Sequence, residues 1–233
     1  MNAMHISIAI DGPAGAGKST VARGLAKALE IAYLDTGAMY RALAWVAHQQ
    51  DVDFSHSASL ERILDSGELR VEANESQTRI FYREQEITLE LHGALAGRGA
   101  SLVAVHPGVR NRLVAWQRQF AASQSAVLDG RDIGSVVLTD ATLKVFLTAS
   151  TTVRAQRRYQ EFQETSRDSQ LSLEEIEAEI IARDERDKQR EFGALQQADD
   201  ALYLDGSFMT AEEIIALLLE RLQALGYHET GEA

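Results

Sequence analysis

Residues 12–19 read Gly-Pro-Ala-Gly-Ala-Gly-Lys-Ser, a complete G-x-x-x-x-G-K-S loop. They directly follow the apolar run of residues 5–10, and residues 20–30 continue with helical spacing, so the local order is strand, loop, helix. In this context the glycines let backbone N–H groups turn inward around a polyphosphate, Lys18 adds positive charge, and the Ser19 hydroxyl can ligate Mg²⁺. The stretch predicts a nucleotide-phosphate binder. The predicted contact residues are Gly12, Pro13, Ala14, Gly15, Ala16, Gly17, Lys18, Ser19 and Thr20.

Length and composition limit the kind of protein this can be. The 233 residues suffice for one domain with a small insert, and 45% hydrophobic with 25% charged residues is an ordinary balance for a soluble globular protein. No apolar stretch approaches a membrane span, and the N-terminal apolar run is typical of a first strand, not of a signal peptide. The lack of cysteine excludes disulfides, thiolate metal sites and cysteine catalysis, and agrees with a cytoplasmic protein.

The basic residues are mostly arginine. The net charge is −12, which argues against a nucleic-acid partner, yet nineteen of the 23 basic side chains are arginines. Guanidinium groups bind phosphate and carboxylate bidentately and stay charged. An acidic surface with arginine clusters favours a small anionic ligand over a long polyanion.

Predicted strands and helices alternate through most of the chain. Residues 31–35 indicate a second strand and residues 39–48 a helix after it, which begins a parallel α/β pattern. Further strands are predicted at residues 126–129, 143–149 and 201–205. Helices are predicted at residues 107–122, 151–164, 172–192 and 210–225.

The alternation is interrupted between about residues 65 and 90, where period-two hydrophobicity and an Asn-Glu-Ser-Gln turn predict an antiparallel hairpin insert. Parallel sheets bind ligands at the carboxyl ends of their strands. The phosphate loop, Asp35-Thr-Gly37 and Asp129-Gly-Arg-Asp132 all fall at such ends. We therefore predict an α/β fold with a parallel sheet, helices on both faces and a small antiparallel β insert.

Three further stretches make the pattern specific. Asp35-Thr-Gly-Ala-Met-Tyr-Arg41, Asp129-Gly-Arg-Asp132 and Arg183-Asp-Glu-Arg-Asp-Lys-Gln-Arg190, taken with the phosphate loop, resemble bacterial cytidylate (CMP) kinases over nearly the whole chain. The resemblance implies a P-loop nucleoside monophosphate kinase fold in a single domain, residues 1–233. Its parts would be a core of residues 1–62, 92–153 and 187–228, a monophosphate-binding insert of about residues 63–91, and a helical lid of about residues 154–186.

The implied activity is transfer of a phosphoryl group from ATP to CMP or dCMP, with Mg²⁺, in a cytoplasmic monomer that has no nucleic-acid or membrane partner. This chemistry explains the arginine content. A monophosphate acceptor is largely dianionic at neutral pH because its second pKa is about 6, so no general base is needed. The reaction must bring two polyanions together in line, and Mg²⁺, Lys18 and arginines would provide the positive charge that this requires.

The resemblance also assigns roles to individual residues. Cytosine presents an amine donor beside two acceptors, so a selective pocket needs a carboxylate next to donors, and Asp132 suits that role. Arg41 and Arg131 would clamp the acceptor phosphate, while Arg183 and Asp187 would hold the ribose. The implied CMP-binding set is Thr36, Arg41, Ser101, Arg110, Arg131, Asp132, Arg183, Asp187 and Arg190. The implied catalytic set is Lys18, Arg41, Arg131, Arg157, Arg158 and Arg186.

The helical spacing leaves alternatives open. At 100° per residue, Arg154, Arg157 and Arg158 share one stripe, a pattern that is also typical of solvated salt-bridged faces. Asp132 also fits a turn or N-cap position. Asp129 fits either a carboxylate that orients the water shell of the Mg²⁺ held by Ser19, or a cap of the following turn.

Two departures from the family pattern are visible. Thr36 stands where many relatives carry serine, and residues 91–101 contain extra glycines and place His92 where relatives often have arginine. We expect His92 to be a surface residue.

Two other functions fit the phosphate loop. One is a kinase for another small molecule, with UMP or AMP as the acceptor, or an alcohol for which Asp35 would act as the general base. The other is a nucleotide-dependent switch, although the guanine-reading Asn-Lys-x-Asp sequence is absent.

Overall fold

The computed structural model describes residues 5–92, 94–164, 172–189 and 192–227. The strands in chain order are β1 (Ser7–Asp11), β2 (Ala32–Asp35), β3 (Leu69–Ala73), β4 (Thr78–Tyr82), β5 (Gln85–Glu86), β6 (Ala126–Gly130), β7 (Leu143–Thr148) and β8 (Leu202–Asp205). The α-helices are α1 (Lys18–Ala28), α2 (Thr36–Gln49), α3 (Ser57–Asp65), α4 (Ala94–Val103), α5 (Pro107–Ser123), α6 (Thr151–Glu164), α7 (Leu173–Lys188) and α8 (Ala211–Ala224). Short 3₁₀ turns occupy Glu90–His92 and Gly206–Phe208, and a π-helical turn occupies Ile133–Val137.

The central sheet is parallel, with strand order β2-β6-β1-β7-β8. Its strands are short apolar runs whose alternate side chains enter two different cores. Ile8 and Ile10 pack with α1 and α8, whereas Ala9, Leu34 and Leu128 pack on the opposite face with α2 and α5. Helices therefore cover both faces, as expected for a buried parallel sheet, and the predicted fold class is confirmed.

The strand register aligns three acidic residues at one edge. Asp35 pairs with Asp129 across β2 and β6, and Asp11 lies one step beyond, opposite Gly130. Because β1 is flanked by β6 on one side and β7 on the other, the loop that follows it lies where the connections diverge to opposite sides, which is the usual ligand position in open parallel sheets.

The predicted hairpin insert is the antiparallel sheet β3-β4-β5. In its turn, the Asn74 side-chain oxygen accepts hydrogen bonds from the amides of Ser76 (2.9 Å) and Gln77 (3.0 Å). Thr78 joins this sheet to the core, because its hydroxyl donates to the Tyr33 carbonyl (2.8 Å) and accepts from the Asp35 amide (2.8 Å).

The helices differ from the sequence-based expectation at two boundaries and in two elements that were not predicted. Helix α2 begins at Thr36 and not at residue 39, because the Asp35 carboxylate caps it by accepting from the Ala38 amide (2.9 Å). Helix α7 ends at Lys188 and not at residue 192, since Gln189 has left helical geometry with ψ at 0°. Helices α3 and α4 were not predicted.

Candidate active site

The phosphate loop is held in a conformation that only glycine allows. Gly12, Gly15 and Gly17 have φ values of 147°, 76° and 91°. A Cβ at Gly12 would lie 1.9 Å from the Leu147 carbonyl oxygen, so the loop leaves β1 in direct contact with β7. Gly17 is the N-cap of α1 and supplies no side-chain cap, which leaves the first amides of the helix available to an anion.

Basic side chains hold the carbonyl groups of this loop. Lys18 Nζ donates to the Pro13 carbonyl at 2.9 Å. Arg131, Arg154 and Arg157 each donate through Nη1 to another loop carbonyl. These contacts are Arg131 to Gly12 (3.1 Å), Arg154 to Ala14 (3.0 Å) and Arg157 to Ala16 (3.2 Å).

Lys18, the first residue of α1, is buried, with 7% of its surface exposed. Burial lowers its pKa, the charge of Arg131 lowers it further, and the carboxylates of Asp129 and Asp11 act in the opposite direction. A bound polyphosphate would add negative charge at this point and favour the ammonium form.

Ser19 and Asp129 meet at the start of α1. The Ser19 hydroxyl donates to Asp129 Oδ2 at 2.7 Å, and the Tyr33 hydroxyl approaches Oδ1 at 3.3 Å. Burial raises the pKa of Asp129, and the neighbouring Asp35 raises it further. A hydroxyl and a carboxylate at this spacing are the hard oxygen donors that suit Mg²⁺, which commonly keeps several waters and takes few protein ligands. Among the described residues, no group of three or more His, Cys, Asp or Glu side chains could hold a metal ion.

Asp35 and Arg41 form an ion pair at 2.6 Å at the start of α2. Burial acts to raise the pKa of Asp35, but the charge of Arg41 and the bond from the Ala38 amide hold it below its ordinary value. A carboxylate that is both a helix cap and a partner of arginine is a weak base. This geometry disfavours Asp35 as the general base of an alcohol kinase.

Asp132 and Arg110 form a buried pair, with each residue 7% exposed. The pair joins the loop after β6 to α5, and Arg110 also reaches the Tyr40 hydroxyl at 3.5 Å. A carboxylate acceptor thus lies directly beside guanidinium donors. Ser101 lies half-buried on α4, which packs against α2, while the Thr36 hydroxyl donates to the Asp129 carbonyl at 2.7 Å.

Asp187 links the loop after β6 to α7. It is 1% exposed, and its Oδ2 accepts from Arg131 Nε at 3.1 Å and lies 3.9 Å from Arg183 Nε. Arg190, predicted in the same group, lies outside the described residues.

Two of the predicted catalytic arginines make their contacts away from the phosphate loop in this structure. Arg158 pairs with Glu161 (2.7 Å) and lies over the Phe162 ring, and Arg186 donates to the Ala182 carbonyl of its own helix (3.1 Å). Both are exposed. His92 is also exposed, as predicted.

Sequence reasoning missed Asp11 as part of this site. Asp11 is 4% exposed, and its carboxylate accepts from the amides of Ile133 and Gly134, both at 2.7 Å. It thereby fixes the turn that follows Asp132. Its position at the end of β1, directly before the phosphate loop, was the available signal.

The chain is similar in sequence to known proteins over most of its length. The family model described as cytidylate kinase matches residues 8–224. The cytidylate kinase of Exiguobacterium sibiricum is 44% identical over 215 residues, which cover 92% of this chain and 96% of that protein. The cytidylate kinase of Halalkalibacterium halodurans is 42% identical over 214 residues, with coverages of 92% and 96%.

Solved structures share the fold at much lower sequence identity. The crystal structure of an uncharacterized protein from Eubacterium ventriosum matches with a TM-score of 0.51 at 13% identity, covering 94% of this chain and 99% of the other. Within the described ranges, none of the helices combines the length and apolar composition needed to cross a membrane. The family match over most of the chain, with the phosphate loop and the paired carboxylates and arginines at one sheet edge, shows that this chain belongs to the cytidylate kinase family.

Proposed function

We propose that the carboxyl edge of the central sheet has two halves. The donor half is the loop after β1, and the acceptor half is formed by the residues after β2 and β6 together with those that pack on them. As a member of its family, the chain transfers a phosphoryl group from ATP to CMP or dCMP, giving ADP and CDP or dCDP. The observation that carries the assignment is the buried Arg110–Asp132 pair, which offers the mixed donor and acceptor face that cytosine requires.

On the donor half, residues 12–20 contact the ATP phosphates through backbone amides and Lys18. The positive-φ glycines and the uncapped N-terminus of α1 support this assignment. The Ser19 hydroxyl would hold Mg²⁺, and the neighbouring Asp129 carboxylate would orient the waters on it. The metal would neutralise charge on the phosphates as it does in related P-loop enzymes.

On the acceptor half, Asp132 accepts from the cytosine amine, and Arg110, Ser101 and Arg190 serve the other groups of the base. Uracil presents an oxygen where cytosine presents the amine, so UMP would place two acceptors together in a buried site. The Arg110–Asp132 contact supports this reading, because the carboxylate is already fixed beside a donor.

The phosphate and sugar of CMP are held by residues that already form ion pairs. Arg41 and Arg131 clamp the acceptor phosphate, Arg183 and Asp187 hold the ribose hydroxyls, and Thr36 lies beside the phosphate. Arg41 and Arg131 are now paired with Asp35 and Asp187, so their guanidinium groups are fixed near the edge before substrate arrives.

The transfer is direct and in line, without a covalent enzyme intermediate. No residue needs to remove a proton, because the acceptor phosphate is already an anion. Lys18, Arg41 and Arg131 neutralise charge as the transition state forms, and each such contact supplies a rate factor of about 10² or more.

We propose that about residues 63–91 act as a monophosphate-binding insert and about residues 154–186 as a lid, on a core formed by the rest of the single domain. Arg157 already contacts the phosphate loop, and closure of the lid would bring Arg158 and Arg186 to the donor phosphates beside it and exclude water. One chain supplies every residue assigned here, which supports a monomer. The cytoplasmic location stays a prediction from the cysteine-free composition.

The first test is turnover. Purified protein with Mg²⁺ and ATP is given CMP, dCMP, UMP or AMP in separate reactions, and ADP formation is followed against a reaction without acceptor. We expect rapid ADP release with CMP and dCMP alone. Equal rates with UMP or AMP would contradict the acceptor pocket, and no acceptor-dependent release would contradict the kinase assignment.

A substitution of Asp132 tests the assignment of the cytosine pocket. Asp132→Ala should lower kcat/KM for CMP about 10²-fold or more while changing the KM for ATP little, because a base contact is lost on one side only. Asp140→Ala removes an exposed carboxylate and serves as the control. Equal loss for both substrates in Asp132→Ala would indicate a structural role.

A further inference from the structure

Arg154 is a buried charge that the proposed mechanism does not use. Its residue is 4% exposed, and its guanidinium makes three contacts in three directions. It donates to the Ala149 carbonyl (2.9 Å), to the Ala14 carbonyl of the phosphate loop (3.0 Å) and to Asp184 Oδ2 of α7 (2.6 Å). One side chain therefore joins the end of β7, the phosphate loop and α7.

The contact with Ala14 fixes more than one oxygen. A trans peptide unit is planar, so its C=O and the N–H of the next residue point in opposite directions. Holding the Ala14 carbonyl toward Arg154 therefore turns the Gly15 amide away from Arg154. In the same way, Arg157 on the Ala16 carbonyl orients the Gly17 amide.

Helix α7 reaches the loop by two parallel routes. Asp184 holds Arg154, which holds the Ala14 carbonyl, and Asp187 holds Arg131, which holds the Gly12 carbonyl. The two carboxylates are three residues apart and lie on one face of the helix. The orientation of the loop amides thus depends on contacts from α7.

We propose that Arg154 and Asp184 are positioning residues that set the conformation of the phosphate loop and so determine its affinity for the donor polyphosphate. Neither residue needs to touch the nucleotide, since Arg154 acts through the Ala14–Gly15 peptide and Asp184 acts through Arg154. The inference rests on the proposed donor site, and a binding measurement tests it without requiring turnover.

Asp184→Asn separates this role from direct contact with phosphate. If Arg154 bound phosphate directly, removing the competing carboxylate would free the guanidinium, and affinity for a polyphosphate would rise or stay unchanged. If Arg154 acts through the loop, the loss of its anchor should weaken binding. The substitution keeps size and shape, so the variant is expected to fold.

The experiment measures the dissociation constants of Mg-ADP and inorganic tripolyphosphate for wild type, Asp184→Asn, Arg154→Lys and the double variant. We expect both single variants to bind about tenfold or more weakly and the double variant to bind no more weakly than the weaker single variant, because the residues act in series. Affinity for CMP alone should change less than twofold, and the KM for ATP should rise more than the KM for CMP.

Arg112→Lys is the matched control. The Arg112 guanidinium also donates hydrogen bonds to two carboxylates, those of Asp65 and Glu61, and to a backbone carbonyl. It joins α3 to α5, away from the phosphate loop. It should lower the melting temperature without changing either dissociation constant.

Three outcomes overturn the proposal: Asp184→Asn binds tripolyphosphate as tightly as wild type or more tightly, both single variants lose only thermal stability, or the effects of the two substitutions add fully. If wild type fails to phosphorylate CMP, the proposed function fails, while the titrations with Mg-ADP and tripolyphosphate still decide the role of Arg154.

Discussion

At the scale of single residues, burial opposes charge throughout the edge of the sheet. Asp11, Lys18 and Asp129 are all buried, and in each case burial is the largest influence on the pKa and disfavours the charged form. The free protein therefore holds these groups at a cost in stability, as is common where titratable side chains cluster at a functional site.

Lys18→Met tests this trade between stability and activity. The substitution removes a buried ammonium and keeps much of the side-chain volume, so we expect an unchanged or higher melting temperature. Turnover should fall about 10²-fold or more, because the charge that we propose to meet the donor phosphates is lost. Thermal denaturation and steady-state kinetics on the same preparation provide the two values. Full activity in this variant would remove Lys18 from the mechanism.

Asp11 gives a prediction for the pH dependence of stability. Burial raises the pKa of Asp11 from 3.8 to about 6, against the hydrogen bonds from Gly134 and Ile133 that favour the charged form. As pH rises, the unfolded chain loses this proton first and the folded chain keeps it longer, so the contribution of the group to the free energy of unfolding falls between about pH 4 and about pH 6. The full difference is about 3 kcal/mol.

Asp11→Asn removes that ionisation. We expect the free energy of unfolding of the variant, relative to wild type, to increase by up to about 3 kcal/mol from about pH 4 to about pH 7, even if the lost amide contact makes the variant less stable overall. Urea denaturation across this pH range measures the difference. The exposed Asp140→Asn should show no such trend, and a flat difference for Asp11→Asn would refute the assignment.

At the scale of elements, α4 illustrates how tertiary contact overrides local preference. It contains Gly97 and Gly99, which disfavour a helix by about 1 kcal/mol each. Gly99 is required by packing, because a Cβ there would lie 2.7 Å from the Ala44 Cβ of α2 and 3.1 Å from the Phe54 ring. A Cβ at Gly97 would meet nothing within 4 Å.

The two glycines form a matched pair for mutation. Gly97→Ala should raise the free energy of unfolding by up to about 1 kcal/mol through helix propensity alone. Gly99→Ala should lower it by about 1–3 kcal/mol, since α4 must move away from α2. Because α4 carries Ser101, we also expect Gly99→Ala to raise the KM for CMP. Equal effects of the two substitutions on stability would contradict the close packing.

The sequence-based predictions succeeded where a pattern is local. The phosphate loop, the alternating strands and the hairpin turn at Asn74 depend on residues close together in the chain, and the structure confirms these elements. Helix α4 was missed because its stability comes from α2, more than fifty residues earlier. The anchoring of Arg154 by Asp184 was missed for the same reason, since a helical stripe of arginines does not show which member is buried.

At the scale of the whole molecule, the hairpin insert packs its apolar face on α2 and is bonded to the end of β2. Thr78 is 7% exposed and connects the hairpin insert to β2 by two hydrogen bonds, one of which reaches the Asp35 amide next to the acceptor half. Together with the bond from the Tyr33 amide to the Asn74 carbonyl (2.9 Å), this hydroxyl sets the position of the insert at the end of β2.

Thr78→Val keeps the shape and removes both bonds. The Asp35 amide and the Tyr33 carbonyl would lose their side-chain partner, and we expect the free energy of unfolding to fall by about 3 kcal/mol. The KM for CMP should rise more than the KM for ATP. Thr88→Val, whose hydroxyl bonds to Ile80 and Glu86 lie within the insert, should leave both KM values unchanged. Equal KM values for CMP in the two variants would show that Thr78 does not position the insert for substrate binding.

The central place of β1 in the sheet has a consequence for how such proteins diverge. The loop after β1 is shaped by glycines and by arginines that α7 anchors, whereas β2 and β6 lie to one side of it and are followed by the residues proposed to bind the acceptor. A mutation of Arg131 after β6 would also release the Gly12 carbonyl of the phosphate loop, whereas a mutation after β2 leaves that contact in place. The chain after β2 can therefore diverge more freely than the chain after β6, where one arginine is tied to the phosphate loop.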